Sequence, residues 1–155
     1  NNIRINCHKN APRIVPKAVS DTNSETDFVR VLGNTTGSHL AGAKDAPYGE
    51  LETFKVETKA FREIMRENDF LKIDVEGHEA SILISTMPGD WKDTDAMVEI
   101  GSKKNAERIF NHFDGTNVRL FAQSMNWKKI NDLKEMPSSY KDGSLFITNK
   151  EFMPW

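Results

Sequence analysis

Cysteine is almost missing from this sequence. The lone Cys7 excludes an internal disulfide framework and fits a reducing compartment, so the cytoplasm is the expected location. Long apolar runs are missing too. None approaches the roughly 20 residues of a membrane helix, so no membrane is expected as a partner. The N-terminus, Asn1-Asn2-Ile3-Arg4, has neither a signal-peptide pattern nor an initiator methionine, so the gene need not begin there. Charge of one sign is not in excess. With 21 basic against 23 acidic residues the net charge is −2, and no basic stripe stands out to engage nucleic acid. Internal repeats and low-complexity tracts are likewise absent.

What is present suits a single domain, or part of one, over residues 1–155, with no internal boundary. Hydrophobic residues make up 37% of the chain, enough for one modest core. Residues 1–9 read as the tail of a helix, with Ile3 and Cys7 four apart and Pro12 ending it. Strands are expected at Ile14–Ser20, Glu25–Leu32, Glu52–Thr58, Phe70–Val75, Ala96–Ile100, Val118–Ala122 and Gly143–Thr148. Helices are expected at 59–67, Glu79–Thr86 and 103–113, from apolar residues at helical spacing. Pro88-Gly89-Asp90 reads as a turn. Residues 33–49, rich in Gly, Ser, Thr and Asn, read as a loop that is too long to be a mere connector and is either functional or mobile. Strands alternating with helices over 70–122 argue for βαβ units and a parallel sheet.

The sharpest local feature is Leu71-Lys72-Ile73-Asp74-Val75-Glu76-Gly77-His78-Glu79. Alternate side chains of a strand share a face, so Lys72, Asp74 and Glu76 point one way. A lysine inside a central parallel strand is costly unless paired, and Asp74 and Glu76 are its expected partners. Gly77 permits a tight turn into the next helix. Ligands of open α/β sheets bind beyond the carboxyl ends of the strands, where this acidic group lies. Plainer readings stand beside the functional one. Glu76 and Glu79 can simply complement a helix N-terminus, and His78 can be a helix-start or packing residue.

Residues 71–79 resemble the Leu-Lys-Ile-Asp-Val-Glu-Gly-X-Glu segment of FkbM-type methyltransferases. Weaker similarities flank it: Ala18-Val19-Ser20-Asp21, Met97-Val98-Glu99-Ile100 and Ser144-Leu145-Phe146-Ile147. Together they span essentially residues 1–150. The resemblance implies an α/β fold, the C-terminal part of a Rossmann-like class I methyltransferase sheet, mostly parallel with an antiparallel strand near the C-terminus. It implies an S-adenosylmethionine-dependent O-methyltransferase acting on a hydroxyl of a sugar, polyketide or other small metabolite or glycan. Asp74 would lie nearest the transferred methyl and touch the cofactor. Asp74, Glu76, His78 and Glu79 would form the catalytic group, a carboxylate or histidine accepting the hydroxyl proton. Glu99 would line the acceptor side, and Ala18, Val19, Ser20 and Asp21 would touch the adenine. Asp21 reads equally well as a turn acid.

Several positions depart from the pattern. The residue before Glu79, often small in the family, is His78. Thr58-Lys59-Ala60 lacks an expected acid. No Gly-X-Gly occurs in the chain, although such a turn normally receives the cofactor's methionine part. Asn1 onwards resembles the helix that follows the second strand, so the first two strands of the family's order are expected to be missing. A non-catalytic, truncated domain is therefore the alternative reading. A less favoured one is a Mg²⁺ or Mn²⁺ site built from Asp74, Glu76, His78 and Glu79, which Lys72 would partly neutralise. His39 can reach an acceptor from the long loop, or simply stand in solvent. Trp127, near Met125 and Tyr140, can cover a substrate or anchor its link. The Lys103-Lys104 and Lys128-Lys129 pairs read as solvated faces.

The same resemblance predicts strand neighbours. The 70–75 strand should pair with 96–100. The 144–148 strand should lie between 96–100 and 118–122, antiparallel to both. Two missing positions would separate 14–20 from 70–75, roughly 14 Å at about 4.8 Å per spacing. The 14–20 strand should then shift, pair with 25–32 and 52–58, or leave room for another chain. Exposed edges would favour a homo-oligomer and weak cofactor binding by the chain alone.

Overall fold

A long alternating strand organises the N-terminal half. In the computed structural model, which describes residues 12–34, 37–44 and 49–154, β2 (Glu25–Val31) pairs along its whole length with strand β4 (Leu51–Ala60). Their register sets Phe28 opposite Phe54, ring centroids 5.5 Å apart. Arg30 stacks its guanidinium 4.8 Å above the Phe54 ring. The short β3 (His39–Leu40) extends β2, and β1 (Ala18–Ser20) runs parallel to β4 on its other side. The order is β1-β4-β2-β3.

The expected strand at Ile14–Ser20 is thus reduced to its last three residues. Pro12 and Pro16 lack N–H donors, so the stretch before Ala18 cannot extend the ladder, and Ile14 and Val15 stay exposed. Of the three routes expected for this segment, it takes pairing within its own neighbourhood, through β4. The turn that follows is tightly held. Thr58, which is buried, donates to Thr22 O at 2.7 Å and accepts from Ser24 N at 2.9 Å. Asn23 receives Ala60 N at 2.8 Å and donates to Glu63 at 2.7 Å. The expected helical tail over residues 1–9, with Cys7, lies outside the described residues.

The second sheet has the order β5-β6-β9-β7-β8, with β5 Phe70–Ile73, β6 Asp95–Glu99, β7 Arg119–Ala122, β8 Lys128–Lys129 and β9 Ser144–Thr148. β5 and β6 are parallel, and β9 lies between β6 and β7, antiparallel to both. These neighbours are as the sequence predicts. A mostly parallel sheet is not what forms, however. Among the described residues parallel ladders join only β5 to β6 and β1 to β4. Elsewhere short returns and the inserted β9 impose antiparallel pairing. The described residues form a mixed α/β structure with two sheets.

Lys72 corrects another expectation. Among the described residues β5 stands at the edge of its sheet, so the Lys72 side chain keeps 45% of its exposure and is not buried between strands. Its partner is Glu99, with Nζ 2.9 Å from Oε1, in place of Asp74 or Glu76. Lys72 registers with Met97, and Glu99 lies two residues farther on the same face.

Helices α1 (Phe61–Arg66), α2 (Glu79–Ile84) and α3 (Lys103–Phe113) cover this sheet. Ser102 caps α3 by accepting Asn105 N at 3.2 Å. The stripe Ala106, Ile109 and Phe113 is buried at helical spacing. The expected turn at Pro88–Asp90 is a 3-10 helix, Pro88–Trp91, whose last residue is fully buried. Trp91 meets Phe113 edge to face at 5.5 Å and donates Nε1–H to Thr86 Oγ1 at 2.9 Å. Arg62 grips Asp90 through two bonds of 2.8 and 2.9 Å, fastening α1 to this turn.

Trp91→Ala should therefore cost about 3–5 kcal/mol of folding stability. Urea denaturation followed by circular dichroism measures it, and a loss under about 1 kcal/mol would show that the core does not depend on this anchor.

Candidate functional site

The sequence Val75-Glu76-Gly77-His78-Glu79 folds as a sharp turn between β5 and α2, with His78 N bonded to Val75 O at 3.3 Å. Glu76 takes a left-handed φ of 49° and Gly77 a φ of 100°. Such a conformation in a non-glycine residue is costly and must be held from outside. Two contacts hold it. Glu76 pairs with Lys44, Nζ to Oε2 at 2.7 Å. Glu79, only 3% exposed, accepts Gly77 N at 2.8 Å with one oxygen and Asn105 Nδ2 at 2.8 Å with the other. Asn105 also donates to Gly77 O at 2.9 Å, which locks the turn to α3.

The turn forms the floor of a cleft of about 670 Å³ beyond the carboxyl ends of β5 and β6. Asp74, Glu76, His78, Glu79, Glu99 and His39 all line it. Asp74 is exposed, and its carboxylate has no hydrogen bond or ion pair with any described residue. Glu99 is engaged by Lys72. His39 is neither a loop residue nor solvated. It sits in β3 opposite Val29, 2% exposed, with Nδ1 2.9 Å from Gly37 O. The long loop therefore contributes a wall through Asn34, Gly37 and the segment Ala41–Lys44.

Ala18, Val19, Ser20 and Asp21 do not line the cleft. Ser20 and Asp21 stand directly behind His78. Ser20 Oγ is 3.3 Å from His78 Nε2 and 2.9 Å from Asp21 Oδ1. The Asp21 carboxylate can only accept, so Ser20 donates to it and receives the histidine's Nε2–H. That order leaves Nδ1 as the lone-pair nitrogen.

Burial drives the His78 pKa below its ordinary 6.5; Asp21 opposes this and Arg108 adds to it. The ring is therefore neutral near pH 7. Burial pushes Glu79 the other way, above the ordinary 4.5, against the hydrogen bonds from Gly77 and Asn105. The arrangement puts a neutral imidazole and an open carboxylate in one cleft, which is equipment for moving a proton.

Metal chemistry gains nothing here. Among the described residues no three His, Cys, Asp or Glu side chains gather closely enough to hold an ion. The turn sends Glu76 to Lys44 and Glu79 into the interior, so the proposed ligands diverge.

Lys44, Asn105 and Arg108 are cleft residues that the sequence does not single out. Lys44 lies in a stretch without periodicity. Asn105 and Arg108 sit three apart on α3, so helical spacing from a capped start was the available signal. Lys104, expected on a solvated face, lines the cleft one turn before Arg108. Tyr140 also reaches the rim, whereas Trp127 is not among the lining residues.

Gly77 is the position with least room. A Cβ there would stand 2.6 Å from Ala43 O. Gly77→Ala should cost about 1–3 kcal/mol and push the Ala41–Lys44 wall outward. Urea denaturation reads the first effect and the rate of tryptic cleavage after Lys44 the second; wild-type values for both would contradict the close approach.

A family model described as the Methyltransferase FkbM domain matches residues 1–134. No curated protein and no solved structure matches the chain. The match covers most of the sequence, with the 71–79 turn at its centre, and the chain belongs to the FkbM methyltransferase family.

Proposed function

We propose that this protein is an S-adenosylmethionine-dependent O-methyltransferase with a Rossmann-like, class I site, acting on the hydroxyl of a sugar or small metabolite. The observation that carries the reading is His78, held neutral and oriented by Ser20 and Asp21, in one cleft with the unpaired Asp74.

Of the residues expected to touch this cofactor only Asp74 lines the cleft, and its open carboxylate suits the cofactor's ribose hydroxyls and its positive sulfur; Ser20 and Asp21 serve His78 from behind. S-adenosylmethionine, when bound, supplies an electrophilic methyl group on a positively charged sulfur. Asp74 contributes a fixed negative charge at the strand end, which favours a nearby cation and orients the acceptor hydroxyl. His78 Nδ1 takes the hydroxyl proton as the oxygen gains its methyl. Ser20 and Asp21 keep the imidazole in the tautomer that can do so. Glu79 positions the turn and does not itself move a proton, since both of its oxygens are engaged. Glu99 and His39 shape the acceptor side.

The pH dependence follows from the lowered His78 pKa. The base is active when deprotonated, so turnover should fall as pH drops through a limb below about 6.5. Stability should fall in the same direction. The folded state resists the proton that the unfolded chain accepts near pH 6.5, so each step down from there favours unfolding until the lowered folded pKa is passed. His78→Gln should lose about 10²–10⁴-fold in turnover and abolish the acid limb, and Asp74→Asn should lose most activity without loss of fold. Methyl transfer from labelled S-adenosylmethionine to a panel of sugars and hydroxylated metabolites, followed from pH 5 to 9, is the test. An unchanged rate in His78→Gln would remove this histidine as the base.

A further inference from the structure

The charges around the cleft are unevenly matched. Glu76 is paired with Lys44 and Glu99 with Lys72, at 2.7 and 2.9 Å. Glu79 is buried and doubly hydrogen-bonded. Arg108 lines the same cleft, is exposed, and makes no hydrogen bond or ion pair with any described residue. Its place is fixed by the backbone of α3. It lies three residues after Asn105, whose amide is bonded to Gly77 and Glu79, and four after Lys104, which also lines the cleft. Residues three and four apart on a helix are neighbours, with Cβ atoms about 5–6 Å apart. The guanidinium thus starts within one helical turn of the clamp that carries His78.

A guanidinium presents a rigid fork of donors that matches the paired oxygens of a carboxylate or phosphate. The other unpaired charge of the cleft, Asp74, makes no ion pair with it, so the fork is open to a partner from the ligand. We propose that the methyl acceptor is anionic, and that Arg108 grips its carboxylate or phosphate while the hydroxyl is presented to Asp74 and His78. The inference rests on the methyl-transfer reading for the word acceptor; the anion site itself does not. The two groups are also coupled. Arg108 helps to hold down the proton affinity of His78, so an anion seated on the guanidinium offsets that charge and makes the base stronger as the acceptor binds.

The test is calorimetric titration of the full chain with matched small molecules, without cofactor. Methyl β-D-glucuronide and D-glucose 6-phosphate carry the anion, and methyl β-D-glucoside does not. The wild type should bind at least one charged sugar about tenfold or more tightly than the neutral one, a difference of ~1.4 kcal/mol. Arg108→Met should erase that preference, and Arg108→Lys should keep part of it through charge without the fork. Equal binding of charged and neutral sugars, or a preference that survives in Arg108→Met, overturns the proposal. A second arm separates acceptor from cofactor. If Arg108→Met weakens S-adenosylhomocysteine about tenfold but leaves 5′-methylthioadenosine unchanged, the guanidinium serves the cofactor's carboxylate and the proposal falls. Unchanged binding of both nucleosides supports it, and an equal loss for both would place the guanidinium at the adenosine and overturn it. Arg108-dependent anion binding with no methyl transferred to any acceptor would uphold the site and count against methyl transfer alone.

Discussion

One buried carboxylate holds the site together. Glu79 enters α2 with its oxygens turned inward, one on the amide of Gly77 and the other on the side chain of Asn105. Ionising this acid does not add to stability. Its folded pKa is raised by burial, so its favourable contribution is complete below about pH 4.5 and is lost as pH rises through the raised value. What it supplies is geometry. Without an acceptor at that point, the half-buried Gly77 amide would lose its partner and the left-handed Glu76–Gly77 pair would have less reason to persist.

Consequences spread from that clamp in two directions. The turn it fixes faces Glu76 toward Lys44 and brings the backbone of Ala43 against Gly77, so the long loop becomes a wall of the cleft. The bond to Asn105 ties the same turn to α3, and with it Lys104 and Arg108. His78, between these attachments, meets Ser20 at the end of β1. Among the described residues the two sheets share no ladder; this hydrogen bond links the end of β1 to the turn after β5, and that between Asn23 and Glu63 links the turn after β1 to α1.

Much of this was legible in the residues. The 71–79 segment identified the turn, its glycine and its acids, and the neighbours of β5, β6, β7 and β9 followed from the same resemblance. Errors arose where a residue's meaning depended on position in the sheet. Lys72 looks costly only in a central strand; at an edge it is an ordinary surface cation that reaches Glu99. His39 looks solvated only if the Gly-rich stretch is wholly irregular, but two residues of pairing with β2 bury it. Glu79 is the helix-start acid that the sequence allows, but the bond of its second oxygen to Asn105, twenty-six positions away, was not legible. Periodicity within one element does not report such pairings between elements.

The dependence of the cleft on Glu79 and Asn105 is tested most directly by a double-mutant cycle, with Glu79→Gln, Asn105→Ala and the pair measured by urea denaturation. A bond between a buried carboxylate and an amide donor predicts a coupling energy of about 1.5–3 kcal/mol, with wild-type-like tryptic protection at Lys44 lost in both single variants. A coupling near zero, or single variants whose loop stays protected, would contradict the claim that this clamp builds the site.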